Sequence, residues 1–202
     1  MALTQQTELL LKIYSVDHLL KCKMEEVSES MLRLSPLSGK VDMFQISDPV
    51  VLLFYEGAQL QMLPADVTDI DQSTGQVTFS RPKKEIEEER RIFERYPISL
   101  IVSARRKFSN KRLHFLAKNI SMYGMSVISQ FELDDEELID IDLITDKKMF
   151  YLSGKVIWKK AFGKKVEYGL QITHYDVATK QALEEHLEKQ KAEYEKMITK
   201  AR

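Results

Sequence analysis

The chain lacks the cysteine pairs and long apolar segments that secreted and membrane proteins carry. Cys22 is the single cysteine among 202 residues, so no internal disulfide can form, and a lone thiol is typical of a reducing compartment. The longest apolar run covers residues 50–55, far short of the roughly 20 residues of a membrane-spanning helix. The first residues also lack a basic signal segment. We therefore expect a cytoplasmic protein without a membrane span.

The sequence has no excess of either charge. It contains 30 Lys plus Arg against 31 Asp plus Glu, with a formal net charge of -1, which excludes a uniformly basic nucleic-acid-coating protein. With 44% hydrophobic residues it can bury a core. Residues 1–80 hold 5 basic and 11 acidic side chains, leaving 25 basic and 20 acidic ones for residues 81–202. Any anion site is therefore expected in the second part.

Sequence motifs of common enzymes are also missing. The chain has no Gly-x-Ser-x-Gly elbow, His-Glu-x-x-His helix, Walker loop or paired-cysteine motif. Its four histidines are scattered, and only His174 and Asp176 stand close enough to give a weak metal signal. We predict structural histidines, no catalytic residue, no metal and no cofactor, and hence a protein that is not an enzyme.

The apolar pattern predicts a mainly β protein made of two small β-barrels followed by a helix. Short strand-like stretches fill the first half, including residues 44–46 and a hairpin over 67–79. Residues 81–95 are highly charged and contain few apolar side chains, which is typical of a linker. Strands resume at residue 96 without room for crossover helices, so the second barrel should be antiparallel. We predict domains at 1–82 and 96–202, joined by a linker at 83–95.

The last segment has helical periodicity. Asp176 can cap a helix over residues 176–201, and apolar side chains recur along one face: Leu183, Leu187, Tyr194, Met197 and Ile198. This face could pack on the chain's own barrel. Alternatively, residues 183, 187, 190, 194, 197 and 201, which follow a 4-3 spacing, could form a seam with a second copy, although Gln190 interrupts it. Both a monomer and a homodimer are compatible with the pattern.

Two short motifs carry possible ligand chemistry. Arg91 and Arg95 stand four residues apart, with Arg90 beside them, and guanidinium groups can bind phosphate or a guanine edge through two hydrogen bonds. Among neighbouring glutamates the same arginines could simply form a solvated, ion-paired turn. Further on, Asn119 and Ser121 supply an amide and a hydroxyl and are followed by a glycine at 124. Taken alone, that second motif describes an ordinary β-turn.

In this order the two motifs resemble the signature of the PilZ family, R-x-x-x-R followed by [D/N]-x-S-x-x-G. The match places Arg91 and Arg95 in the first motif and Asn119, Ser121 and Gly124 in the second. Residues 154–158 (GKVIW) and 168–172 (YGLQI) resemble two further strands of the family, departing only at the final isoleucine. The resemblance covers residues 90–175 and implies a six-stranded antiparallel barrel.

The resemblance implies that the ligand is cyclic di-GMP, a bacterial second messenger with two guanines and two phosphates. Arg91 and Arg95 would bind guanine edges and phosphate oxygens, and Asn119 and Ser121 would add hydrogen bonds from the barrel surface. Gly124 would allow the backbone to approach the ligand. An additional arginine at the position of Arg90 resembles that of family members that bind an intercalated ligand dimer.

The first half resembles the PilZN-type split barrel of flagellar-brake proteins in strand pattern and domain order. This implies a bacterial cytoplasmic receptor whose interdomain arrangement changes when cyclic di-GMP binds. Its output would be motility or biofilm formation, through a protein partner such as the flagellar motor or the polysaccharide-synthesis machinery.

Two alternatives remain open. The basic clusters at 105–107 with 111–112, and at 159–160 with 164–165, could form a nucleic-acid surface with Phe108 or Phe162. They could equally be solvated side chains that protect strand edges, and we therefore expect no nucleic-acid partner. The chain could also be a degenerate PilZ scaffold that binds only proteins.

Overall fold

The fold is taken from a computed structural model that describes residues 8–16, 18–37, 41–80, 94–145 and 148–201. The chain divides into two units, each with its own barrel. The second unit is Ile92–Ala192, and the segment from Glu193 onward belongs with the N-terminal unit. The mainly β fold with two barrels and a C-terminal helix is confirmed.

The first barrel is a closed ring of antiparallel strands in the order β1-β2-β3-β6-β5-β4. Its strands are β1 (Glu8–Lys12), β2 (Leu20–Val27), β3 (Met31–Pro36), β4 (Pro49–Glu56), β5 (Gln59–Asp71) and β6 (Gln76–Ser80). The predicted hairpin is present as β5 and β6, and Gly75 in its turn has a φ of 67°, which glycine adopts without steric cost.

The long apolar run of β4 is buried on both faces of the sheet. Val50, Leu52 and Phe54 point into the barrel core, whereas Val51 and Leu53 belong to a separate apolar cluster. The end of the C-terminal helix supplies two buried side chains of that cluster, Tyr194 and Ile198. Five consecutive apolar residues, at 50–54, are therefore buried in a strand that would otherwise alternate with period two.

Two details of this barrel differ from the sequence prediction. Residues 44–46 are not a strand: Phe44 follows a 3₁₀ turn at Val41–Met43 and is apolar because it packs in the core. The sequence prediction placed no strand at β2 or β3, whose apolar alternations are short and stand among charged or polar residues, as at Leu20, Cys22 and Met24. Burial also raises the pKa of the Cys22 thiol to about 12, so the reactive thiolate is scarce at neutral pH.

The second barrel is also a closed antiparallel ring, ordered β10-β11-β12-β9-β8-β7. Its strands are β7 (Tyr96–Arg106), β8 (Arg112–Ser121), β9 (Gly124–Ser129), β10 (Leu138–Ile144), β11 (Met149–Phe162) and β12 (Lys165–His174). The six pairings join sequence neighbours through short turns, except that β9 pairs with β12 and β10 with β7. Inward-facing side chains from all six strands form one core.

Helix α1 (Val177–Ala201) begins immediately after Asp176, whose carboxylate accepts a hydrogen bond from the Thr179 backbone N–H at 2.7 Å. Leu183 and Leu187 are buried in the core of the second unit. Four side chains of the predicted seam, Leu183, Leu187, Gln190 and Tyr194, are buried within the chain, so this part of the helix is not exposed as a free coiled-coil stripe. Within the described ranges, every helix is too short or too polar to cross a bilayer.

Tyr168 anchors the loop that follows β9 to the core of the second barrel. Its ring is fully buried, and its hydroxyl accepts a hydrogen bond from Leu133 N at 3.0 Å and donates one to Phe131 O at 3.1 Å. Tyr168→Phe should therefore lower the free energy of unfolding by about 1–3 kcal/mol, because it leaves buried backbone groups unpaired. Urea denaturation tests this, with Tyr151→Phe as the exposed control; equal losses for both variants would contradict it.

Candidate functional site

The Asn-x-Ser-x-x-Gly segment forms the end of the β8–β9 hairpin. Ser121 and Gly124 are cross-strand partners, so Met122 and Tyr123 make a two-residue turn. The Ser121 hydroxyl is buried, donates to Gly124 O at 3.2 Å and accepts from Tyr123 N at 3.4 Å. Tyr123 O in turn accepts a hydrogen bond from Ile172 N at 2.9 Å. The turn is therefore held by its own serine and by β12.

An irregularity in β8 brings Asn119 to the outer face of the barrel. The register between β8 and β9 shifts between Ala117 and Asn119, as in a β-bulge. Ala117 and Ile120 remain in the core, so Lys118 and Asn119 both lie on the outer side. A bulge of this kind is the usual means of re-aiming a side chain beside a site.

The side-chain oxygen of Asn119 is buried and has no hydrogen-bond donor among the described residues. A buried carbonyl oxygen without a donor costs about 1–3 kcal/mol, so native structures keep few of them, and two other buried oxygens without a partner, those of Ser103 and Gln190, lie among the described residues of this unit. The residue as a whole is only half-buried.

The arginine motif enters the barrel beside this asparagine. Tyr96, the first residue of β7, pairs with Ile120, and Pro97 pairs with Asn119. Arg95 immediately precedes Tyr96 and is exposed. This strand register therefore places Arg95 beside the end of β8. Burial and the neighbouring Glu94 carboxylate raise the pKa of Tyr96, which keeps its hydroxyl neutral. Arg90 and Arg91 lie outside the described residues.

Gly124 is required by the close approach of a neighbouring strand. A Cβ atom at this position would lie 2.7 Å from the backbone oxygen of Leu170 in β12. The close packing of β12 therefore leaves no room for a side chain at this position. A ligand's approach, which the sequence motif suggested, is not needed to explain the glycine.

The two PilZ-like strand motifs meet as a tryptophan over a glycine. Trp158 in β11 pairs with Gly169 in β12, and a Cβ on Gly169 would lie 2.0 Å from the indole nitrogen. The indole thus packs against the glycine while keeping 38% of its surface exposed. The spacing of these motifs contained that signal, but only the register shows that the two residues touch.

A polar row connects this tryptophan to Asn119 across the outer face. Gly169 pairs with Ser126, and Ser126 pairs with Asn119, so the row spans three strand spacings, about 14 Å from Trp158 to Asn119. Ser126 donates to Glu167 Oε1 at 2.6 Å, and that carboxylate pairs with Lys118 at 3.7 Å. Sequence reasoning singled out neither Ser126 nor Glu167, because a polar outward position is ordinary in any strand.

A second buried oxygen without a donor lies close to the same strand start. Gln190 of α1 donates from Nε2 to Pro97 O at 3.4 Å, whereas its Oε1 has no partner in the part of the chain that is described. Pro97 has no backbone N–H to offer either residue. Two acceptor oxygens, from Gln190 and Asn119, therefore flank the point where the arginine segment joins the barrel.

The remaining sequence candidates do not gather into a site. His174 is exposed, and the described residues contain no group of three His, Cys, Asp or Glu side chains placed to hold a metal. Of the second basic cluster, Lys159 is paired with Asp135 at 3.5 Å and Lys160 is exposed at the β11–β12 hairpin. These lysines fit the solvated-edge interpretation.

The fold and the candidate site together describe a six-stranded β-barrel with a donor-free asparagine oxygen on its outer face, at the end where Arg95 precedes β7. Comparison with known families is consistent with this class: residues 89–189 match the PilZ domain, and the chain belongs to the PilZ family.

Solved structures with a similar fold are distant in sequence. The Bacillus subtilis inhibitor of motility (MotI/DgrA) is 15% identical with a TM-score of 0.45, covering 95% of this chain and 99% of its own. YcgR from Escherichia coli, solved in complex with c-di-GMP, is 12% identical with a TM-score of 0.46, covering 98% of this chain and 89% of its own. A comparison with curated protein sequences found no significant match.

Proposed function

We propose that this protein is a non-enzymatic receptor for cyclic di-GMP. The observation that carries the proposal is the buried Asn119 oxygen without a donor, beside the entry of the arginine segment. The Watson–Crick edge of guanine carries N–H groups, and these could donate the hydrogen bonds that the Asn119 oxygen does not receive from the described part of the chain. Membership of the PilZ family, whose paired motifs are both present, supports the same ligand.

Each motif residue has a chemical role in this proposal. Arg91 and Arg95 bind phosphate oxygens and guanine edges through their planar guanidinium groups. Asn119 accepts from guanine, while Ser121 and Gly124 hold the turn that positions it. The exposed face of Trp158 offers a stacking surface at a distance that a two-guanine ligand can span.

Isothermal titration of the full chain with cyclic di-GMP tests the proposal. We expect saturable binding in the micromolar range or tighter, and a loss of about tenfold to a hundredfold in affinity for Arg95→Ala, which removes a charge-assisted contact. Lys180→Ala, an exposed helix residue, is the matched control. The absence of heat at tens of micromolar ligand, or unchanged binding by Arg95→Ala, would contradict the proposal.

The stoichiometry of the same titration addresses Arg90. If this arginine supports an intercalated dimer, two ligands bind per chain, and Arg90→Ala reduces the ratio to one. One ligand per wild-type chain would remove the dimer from the proposal while leaving the receptor function intact.

The output of the receptor is a change in the arrangement of its two domains that alters the surface offered to a protein partner in motility or biofilm control. The ligand can shift this equilibrium only by its difference in affinity for the two arrangements. Small-angle X-ray scattering with and without saturating cyclic di-GMP tests this step. Superimposable curves would contradict it without affecting ligand binding.

A further inference from the structure

The β7–β8 hairpin extends beyond β9 on one side, whereas β7 stays paired with β10 up to Arg106, and the tip carries an almost fully exposed aromatic residue. Pairing between β8 and β9 begins only at Leu116, so residues 112–115 extend past β9. At the tip of this hairpin Phe108 is 99% exposed. Single exposed apolar residues are common on proteins, but a whole phenyl ring held out in water is not.

The backbone at Phe108 makes the exposure more significant. Its φ is 67°, in the left-handed region that a bulky side chain enters only at an energetic cost. Asn110, a residue type that tolerates this conformation, stands only two positions away. The ring contributes to neither apolar core in return. The turn therefore keeps the Phe108 ring in water although its backbone conformation is costly and its apolar surface is left unburied.

Cationic residues flank Phe108 on both strands of the hairpin, and one of them lies against its ring. The basic tip, as we define it, comprises Arg105, Arg106, Lys107, Lys111 and Arg112. Lys107 Nζ lies 5.6 Å from the centre of the Phe108 ring, and Arg105 and Arg112 are direct cross-strand partners. Like charges at opposed positions destabilise a hairpin, and the acidic cross-strand partner on the β10 side, Asp140, stands opposite Arg105 but not opposite Arg112.

Most of the basic tip is not neutralised by the chain. Arg106 pairs with Glu137 at 3.1 Å and also donates to Glu132 O. Among the described residues, no acidic side chain forms an ion pair with Arg105, Lys111 or Arg112. The adjoining acidic loop at 132–137 has pairs of its own, such as Glu136 with Lys155. The tip thus presents one apolar ring within a rim of available positive charge.

We propose that this basic tip is a docking surface for an anionic lipid bilayer. An apolar ring that enters the interface, together with Lys and Arg that meet acidic headgroups, is the combination that gives reversible membrane binding. Single-stranded nucleic acid is a poorer fit, because base stacking uses several aromatic rings along a groove and the tip is a projection with one ring. An acidic protein surface would use the charges without needing the exposed ring.

The position of the tip separates it from the ligand motif. β7 and β8 run the length of the barrel, with Phe108 beyond one end and Asn119 near the other, about seven strand residues or 20–25 Å apart along β8. Lipid docking at the tip therefore does not require an empty ligand site. The proposal stands on the hairpin alone and is independent of the proposed receptor function.

Vesicle co-sedimentation of the full chain tests the proposal, using phosphatidylcholine vesicles with or without about one third phosphatidylglycerol. We expect binding only to the anionic vesicles, weakening as salt is raised. Phe108→Ser should reduce the partition coefficient about tenfold, and Lys111→Ser combined with Arg112→Ser should reduce it at least as much. Tyr151→Ser removes an exposed aromatic residue elsewhere on the same barrel and should change nothing.

Three results would overturn the proposal: no binding to anionic vesicles, equal binding by Phe108→Ser, or equal loss with Tyr151→Ser. A parallel gel-shift assay with single-stranded DNA and RNA covers the competing partner, and binding there without vesicle binding would assign the tip to nucleic acid. Circular dichroism melting of each variant checks that the fold is retained. Titration of Phe108→Ser with cyclic di-GMP measures ligand affinity separately from membrane binding.

Discussion

Replacing Asn119 with leucine should weaken cyclic di-GMP binding about a hundredfold without destabilising the protein. The affinity loss, equivalent to about 2.7 kcal/mol, follows from leaving guanine N–H donors unpaired in the complex. Stability should stay the same or rise by about 1 kcal/mol, because leucine has similar size and removes a buried oxygen that has no described donor. Titration calorimetry and urea denaturation of the same preparation measure the two quantities.

The matched control is Asn110→Leu, the same exchange at an exposed position of the hairpin tip at the far end of β8. It should leave the affinity for cyclic di-GMP unchanged. An Asn119→Leu variant that is strongly destabilised would show that the amide serves the fold, and one that binds normally would remove it from the site. The combination of lost affinity with retained stability is what distinguishes a binding residue from a structural one.

Gly124→Ala should lower the free energy of unfolding by about 2–4 kcal/mol, enough to remove a large part of the stability of a small domain. The added methyl would lie 2.7 Å from the backbone oxygen of Leu170, and a carbonyl within a paired strand cannot move aside without breaking the β9–β12 pairing. Urea denaturation followed by circular dichroism measures the loss.

Gly154→Ala provides the comparison for this substitution. Its nearest contact would be the Ile141 Cδ1 methyl at 3.1 Å, a side-chain end that can rotate, so the expected loss is about 1 kcal/mol or less. If the two variants lose the same stability, the steric explanation of Gly124 is wrong. If Gly124→Ala is stable and fails only to bind ligand, the glycine serves ligand approach as the sequence motif suggested.

Much of the architecture could be predicted from local patterns. Period-two alternation, short turns and the absence of crossover helices indicated antiparallel barrels, and Asp176 marked the start of the helix where the structure has it. The predictions failed where burial did not follow the simple pattern. Phe44 is a buried apolar residue that follows a turn, so it was predicted as part of a strand. The alternating apolar residues of β2 stand between charged ones, so no strand was predicted there.

The helix shows why local periodicity is ambiguous about partners. The same apolar stripe was compatible with a seam between two copies and with packing on the chain's own strands, since either partner requires an apolar face. In the structure Leu187 is buried in the core of the second unit, and Tyr194 is buried in an apolar cluster of the first. Neither partner could be read from the helix itself.

The sequence by itself determined the chemistry available at the candidate site: arginines, an amide, a hydroxyl and a glycine at the spacing of the PilZ signature. Only the tertiary structure decided which of these groups face outward and what lies beside them. A single-residue shift in β8 turns Asn119 to the outside, and strand register alone brings Ser126, Gly169 and Trp158 into line with it. Strand pairing joins residues far apart in the chain, and one extra residue reverses a side chain's direction, so neither outcome could be read from local sequence.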